Sequence, residues 1–157
     1  MGNEVTARFA DTARMRMDIR TGSGHLVAVD VGPDEGDDTG PTPMELILVS
    51  LSGCTAMDVI SILRKKRQVP TSYEIHARGE RGDAHPRVYT RIVVEHRVDR
   101  SVTAEAIGRS VELSATKYCP VSAMLSLGTL IEHRYRIGDA GESVLVLVTG
   151  PEGAVAA

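Results

Sequence analysis

The chain has 157 residues, enough for one domain that buries about 70% of its unfolded surface without disulfide staples or a structural metal. Hydrophobic residues make up 42% and charged residues 25%, with a net charge of -3, which argues against disorder, a membrane protein and a global basic field for nucleic acid. Aromatics are only 3% and Trp is absent, so a base-stacking platform is not expected either.

Met1 to Ala10 has no apolar secretion core, so a cytoplasmic protein is expected. A loose myristoylation pattern at Gly2 is read as coincidence. Met15, Met17 and Ile19 alternate with Arg14, Arg16, Asp18 and Arg20, the period of a half-buried strand. Thr21 to Gly24 reads as a turn and His25 to Val31 as the returning strand. Gly32 to Thr42 follows as an acidic, Gly- and Pro-rich solvated loop that lacks the ligand and glycine positions of a calcium loop.

The first helix is marked by Thr42 as N-cap, Pro43 at the first helical position and Glu45 closing a capping box. Apolar residues run nearly all round it from Met44 to Leu63. That predicts a central helix covered on most sides, since Glu45 and Asp58 would be costly in a bilayer. Its basic end, Arg64 to Arg67, complements the helix dipole, and Pro70 stops it. Two alternating runs, Tyr73 to Arg78 and Val88 to Val98, predict a second hairpin with His96 at the edge of its apolar side. A helix over about 102–118, another over about 121–131 with Met124, Leu125 and Leu127 inside, and strands over 133–137 and 143–149 complete the chain. The fold class is α+β, with no internal repeat and no linker to a second domain.

Cys54 and Cys119 are the only cysteines. So far apart in a reducing compartment, they read as redox-active or free thiols rather than a permanent staple. Neither belongs to a C-x-x-C and the five histidines are scattered, so no metal site is expected. Cys54 lies mid-helix beside Ser50, Asp58 and Ser61; burial and the carboxylate would raise its pKa, whereas the hydroxyls would stabilise a thiolate. Cys119 precedes Pro120 at a helix N-terminus, where free N–H groups favour a thiolate, so it is locally the better nucleophile.

Two segments carry a resemblance. The loop and helix Gly40-Pro41-Thr42-Pro43-Met44-Glu45-Leu46, continuing as Ser52-Gly53-Cys54-Thr55-Ala56-Met57-Asp58-Val59, resemble the first-cysteine helix of the OsmC/Ohr family of thiol peroxidases. Leu113-Ser114-Ala115-Thr116-Lys117-Tyr118-Cys119-Pro120-Val121-Ser122 resembles the family's second-cysteine segment. The chain looks closest to the OsmC-like subgroup, whose first helix continues as Cys54-Thr55-Ala56-Met57-Asp58-Val59.

The resemblance implies a single OsmC-like domain over 1–157, assembled as an intertwined homodimer with central helices packed between antiparallel sheets. It implies a peroxidatic Cys54 and a resolving Cys119. An organic hydroperoxide would be the substrate and an external dithiol the reductant, with no metal or flavin cofactor and no nucleic-acid or membrane partner. In the organic-hydroperoxide branch an Arg and a Glu activate the thiol. Arg20, backed by Arg16, is the candidate guanidinium. Glu45 is the candidate carboxylate, although the family Glu falls at the position held here by Met44. The alternative is a ligand-binding or redox-sensing protein of the same fold that does not turn over peroxide.

Overall fold

The computed structural model describes residues 3–157 and resolves into two compact units, one ending at Ile47 and the other running from Leu48 to Ala157. Gly2 lies outside the described residues.

The first unit is an antiparallel sheet of β1 (Val5–Asp11), β2 (Arg16–Thr21) and β3 (Leu26–Val29), in that order. The expected hairpin is β2–β3, closed by a turn in which Gly24 takes φ of 90°, a conformation open to glycine and strained for other residues. The sequence reading passed over β1, a strand in which Val5, Ala7 and Phe9 alternate with Thr6 and Arg8 and every residue is exposed. The acidic loop is tied down rather than free. Buried Asp30 accepts hydrogen bonds from the Val31 N–H (2.8 Å), the Thr39 N–H (3.0 Å) and the Thr39 hydroxyl (2.8 Å), which hold its carboxyl down at about 2.

Helix α1 (Pro43–Lys65) begins as its sequence dictates. The Thr42 N–H and hydroxyl donate to Glu45 Oε2 at 2.8 and 2.9 Å, and the Glu45 N–H donates back to Thr42 Oγ1 at 3.3 Å.

In the second unit, β4 (Tyr73–Arg81), β5 (Tyr89–Val98), β6 (Leu130–Ile137), β7 (Val144–Gly150) and β8 (Gly153–Ala156) form one sheet in sequence order. All neighbours are antiparallel except β5 and β6, which run parallel because a helical crossover joins them. That crossover consists of α2 (Ala104–Leu113), a π-helical turn (Ser114–Tyr118) and α3 (Pro120–Leu125). Gly79 has no room for a side chain, since a Cβ there would lie 2.3 Å from the Tyr89 ring across the hairpin.

The sheet's two faces differ. Ile92, Val94, His96 and Val98 of β5 and Ile131 and His133 of β6 are buried on one face. Arg91, Arg97, Arg134 and Arg136 pair with Glu80, Glu95 and Glu132 on the other. Val59 and Leu63 of α1 join Val98, Val102, Ala106, Ile107 and Val111 in the core.

Two expectations need correction. The last helix ends at Leu125 rather than near 131, and Leu130 and Ile131 open β6, because a short apolar run fits either element and β5 offers a pairing edge. Met124 and Leu127 are 64% and 80% exposed, not inside. Helix α1 is long and apolar enough to cross a membrane by length and composition, yet only a single stripe is buried: Leu51, Thr55, Val59 and Leu63. Val49 and Met57 are 60% and 73% exposed, so the cover expected on most sides is not supplied within the chain. Hydropathy counts apolar residues and is silent on which molecule covers them.

Candidate active site

The stripe that docks α1 also sets the position of Cys54. With Thr55 fully buried, its hydroxyl bonded back to the Leu51 carbonyl at 3.0 Å, the preceding residue falls half-buried at the margin of the packed face. Asp58, four residues on, stands one turn along the same margin. Ser114 Oγ, from the π-helical turn, donates to Asp58 Oδ2 at 3.1 Å.

The π-helical turn ends where Pro120 begins α3, and Cys119 between them is the N-cap of α3. Its N–H donates to the Ser114 carbonyl at 2.9 Å, and its sulfur accepts from the Ser122 N–H at 3.3 Å. Ser114 therefore touches both halves of the site, through its hydroxyl to α1 and its carbonyl to Cys119.

The result is a cluster that chain spacing does not announce. Cys54 Sγ, Cys119 Sγ and a carboxylate oxygen of Asp58 all lie within 4.8 Å of one another. Both cysteines are free thiols. Among the described residues this is also a group of side chains able to hold a metal ion, which spacing alone predicts against.

The thiolate expected of Cys119 at a helix N-terminus is not favoured where the residue sits. Cys119 is 3% exposed, and its pKa is pushed up to about 12, first by burial and then by its hydrogen bond to Cys54. The Ser122 N–H pulls the other way and is outweighed, because α3 is only six residues long and burial penalises the charged form more.

The two other expected site residues belong to the first unit. Arg20 is exposed, and its guanidinium donates to the Gly24 carbonyl at a long 3.4 Å. Arg16 has its Nε buried without a hydrogen-bond partner among the described residues, and lies 3.7 Å from Asp18. Glu45 is engaged by Thr42, whose two hydrogen bonds lower its pKa, so a capping role is established for it. Sequence reasoning placed Asp58 beside Cys54 and Ser114 in the second-cysteine segment without joining the two. Ser50 and Ser61, expected beside Cys54, are exposed.

A family model described as OsmC-like protein matches residues 36–134, a span that holds both cysteines and Asp58. The chain belongs to the OsmC-like family. Protein YhfA of Escherichia coli strain K12 is 39% identical over 116 residues, covering 73% of this chain and 84% of that one. The crystal structure of a hypothetical protein from Aquifex aeolicus VF5 superposes with a TM-score of 0.77 at 30% identity, covering 88% of this chain and 97% of that one. An organic hydroperoxide resistance protein from Elizabethkingia anophelis shares the OsmC-like fold at a TM-score of 0.62 and 14% identity, covering 88% and 96%. The two sheets and connecting helices of this chain are those of the OsmC-like architecture.

Proposed function

We propose that this chain is a thiol peroxidase that reduces organic hydroperoxides. The observation that supports it above all is the pair of free sulfurs within 4.8 Å, brought from two separate helices. Family membership and the likeness in fold to a hydroperoxide resistance protein agree with it.

The Cys54 thiolate attacks the terminal oxygen of ROOH. The O–O bond breaks, ROH leaves with one proton, and Cys54 becomes a sulfenic acid. Cys119 attacks that sulfur, and its proton leaves with the hydroxyl as water. The sulfurs then close to a disulfide of about 2.05 Å. An external dithiol returns two electrons and two protons by exchange. The buried Cys119, whose thiol is held well above its ordinary pKa by burial, stays out of the first step. Arg20 enters this reading only as the guanidinium that the family resemblance implies for activating the thiolate.

The working unit in this reading is a cytoplasmic homodimer, in which a second copy covers the open apolar face of α1 around Val49 and Met57. The deciding experiment is anaerobic thiol titration after one equivalent of cumene hydroperoxide, followed by turnover with dithiothreitol. Prompt loss of two thiols per chain and repeated turnover are expected; unchanged thiols overturn the reading. A redox sensor without turnover is the second reading. It is favoured by the Asp58 carboxylate beside the sulfurs, which opposes thiolate formation and slows exchange. Loss of two thiols once, with no catalytic cycling, selects it.

A further inference from the structure

The same three side chains offer more than a disulfide. We propose that Cys54, Asp58 and Cys119 bind a thiophilic divalent cation of the Zn²⁺ class through two thiolate sulfurs and one carboxylate oxygen, and that this metal-bound state excludes the disulfide. The regulatory half of this inference rests on the peroxidase reading; the binding itself does not.

The donor set has the right chemistry. Zn²⁺ takes sulfur and oxygen ligands together in tetrahedral sites, and three protein ligands leave a fourth position for water. With Zn–S of about 2.3 Å and Zn–O of about 2.1 Å, a tetrahedral ion spaces its ligand atoms about 3.5–3.8 Å apart. The three atoms here already lie within 4.8 Å of one another, so closure asks for side-chain adjustments rather than movement of helices. No intervening loop has to order, because Cys54 and Asp58 share one turn of α1 and Cys119 caps α3.

The outer contacts suit a metal ligand set as well. Ser114 Oγ donates to Asp58 Oδ2 at 3.1 Å, which fixes the carboxylate and leaves Oδ1 for the ion. The Ser122 N–H donates to Cys119 Sγ at 3.3 Å, a hydrogen bond that persists when the sulfur is a thiolate. A dication also resolves a local conflict: two thiolates beside a carboxylate repel one another without one and are neutralised in large part with one.

Binding conserves charge and atoms simply. Two thiol protons leave to solvent as two Zn–S bonds form. Oxidation reverses the state: the two thiolates give two electrons to a hydroperoxide, which takes two protons and leaves as alcohol and water, while the disulfide forms and the cation is released. Metal and disulfide therefore exclude one another: the zinc-bound thiolates are oxidised only as the cation leaves, and an oxidised site has no thiolate for metal.

The test uses the full-length reduced protein in the absence of peroxide, with Zn²⁺ competed against a chromophoric chelator and Co²⁺ as the spectroscopic probe. Expected are one ion per chain, a sulfur-to-cobalt charge-transfer band with the strong visible bands of a tetrahedral centre, and complete loss of binding after oxidation with diamide. Asp58→Asn should weaken binding about 10- to 100-fold while retaining the charge-transfer band, and Ser114→Ala should weaken it by about tenfold. Circular dichroism of each variant verifies its fold. Absence of competition with the chelator overturns the proposal, as does binding that survives diamide or that Asp58→Asn leaves equally tight. Peroxide turnover is measured separately in excess chelator. Turnover without metal binding defeats this inference alone, whereas metal binding without turnover defeats the peroxidase reading alone.

Discussion

Cys54 Sγ and Cys119 Sγ lie within 4.8 Å of each other, one thiol half-buried on α1 and the other sealed at the start of α3. That difference in burial fits the proposed mechanism, in which Cys54 meets the peroxide and Cys119 resolves what forms beside it.

Cys54→Ser should reduce peroxide turnover to the uncatalysed background. Cys119→Ser should still react once and leave a sulfenic acid that dimedone traps, with steady-state turnover lowered about 100-fold or more because no resolving thiol remains. Mass spectrometry of the dimedone adduct checks this. An adduct on Cys119 in the Cys54→Ser variant, with turnover intact, reverses the roles.

Arg20→Ala should lower kcat/KM by at least about tenfold if its guanidinium supports the reacting thiolate and the peroxide oxygens. The residue pairs with Thr6 and Leu26 in its sheet through the backbone, so the strand survives the change. Unchanged kcat/KM removes Arg20 from the mechanism.

Much of this was legible locally. The Thr42–Pro43–Glu45 cap, the β2–β3 and β4–β5 hairpins and the two cysteine segments are each written in one short consecutive stretch of chain, the range over which propensity and periodicity speak. The rest is long-range. Nothing near Asp58 in sequence says that Ser114 will hold it, and nothing near Cys119 says that burial will outweigh its place at a helix N-terminus. Leu130 and Ile131 read as helix until β5 is present to pair with them. The short β8, Gly153–Ala156, carries no alternation to detect.

The two faces of α1 should respond differently to mutation. Leu63 is fully buried in the core, so Leu63→Ala should cost about 2–5 kcal/mol in urea unfolding. Met57 is 73% exposed, and Met57→Glu should leave the chain folded while shifting it to a monomer by light scattering. A Met57→Glu protein that keeps the wild-type mass in solution counts against a dimer built on this face.

Acid should act first through the sheet's buried histidines. His96 donates or accepts a single hydrogen bond, between Nδ1 and the Tyr73 hydroxyl at 2.6 Å, and His133 Nε2 bonds Thr149 Oγ1 at 3.1 Å. Burial lowers the pKa of His96 to about 3, helped by the neighbouring His133, and lowers that of His133 to about 4. Unfolded, each titrates near 6.5, so between that value and about 4 the unfolded chain binds more protons than the folded one. Stability is therefore full above pH 6.5 and declines as pH falls, with a slope of up to about 2.7 kcal/mol per pH unit when both contribute. The carboxylates held low by hydrogen bonds, Asp30 and Glu95 near 2, add their own loss from about pH 5 downward, where the unfolded chain takes up protons that the folded one does not. Urea unfolding from pH 7.5 to 4.5 should show this decline, and His133→Gln, which can keep the bond to Thr149, should about halve the slope. A flat stability profile across that range would mean that the two imidazoles are not held neutral by burial.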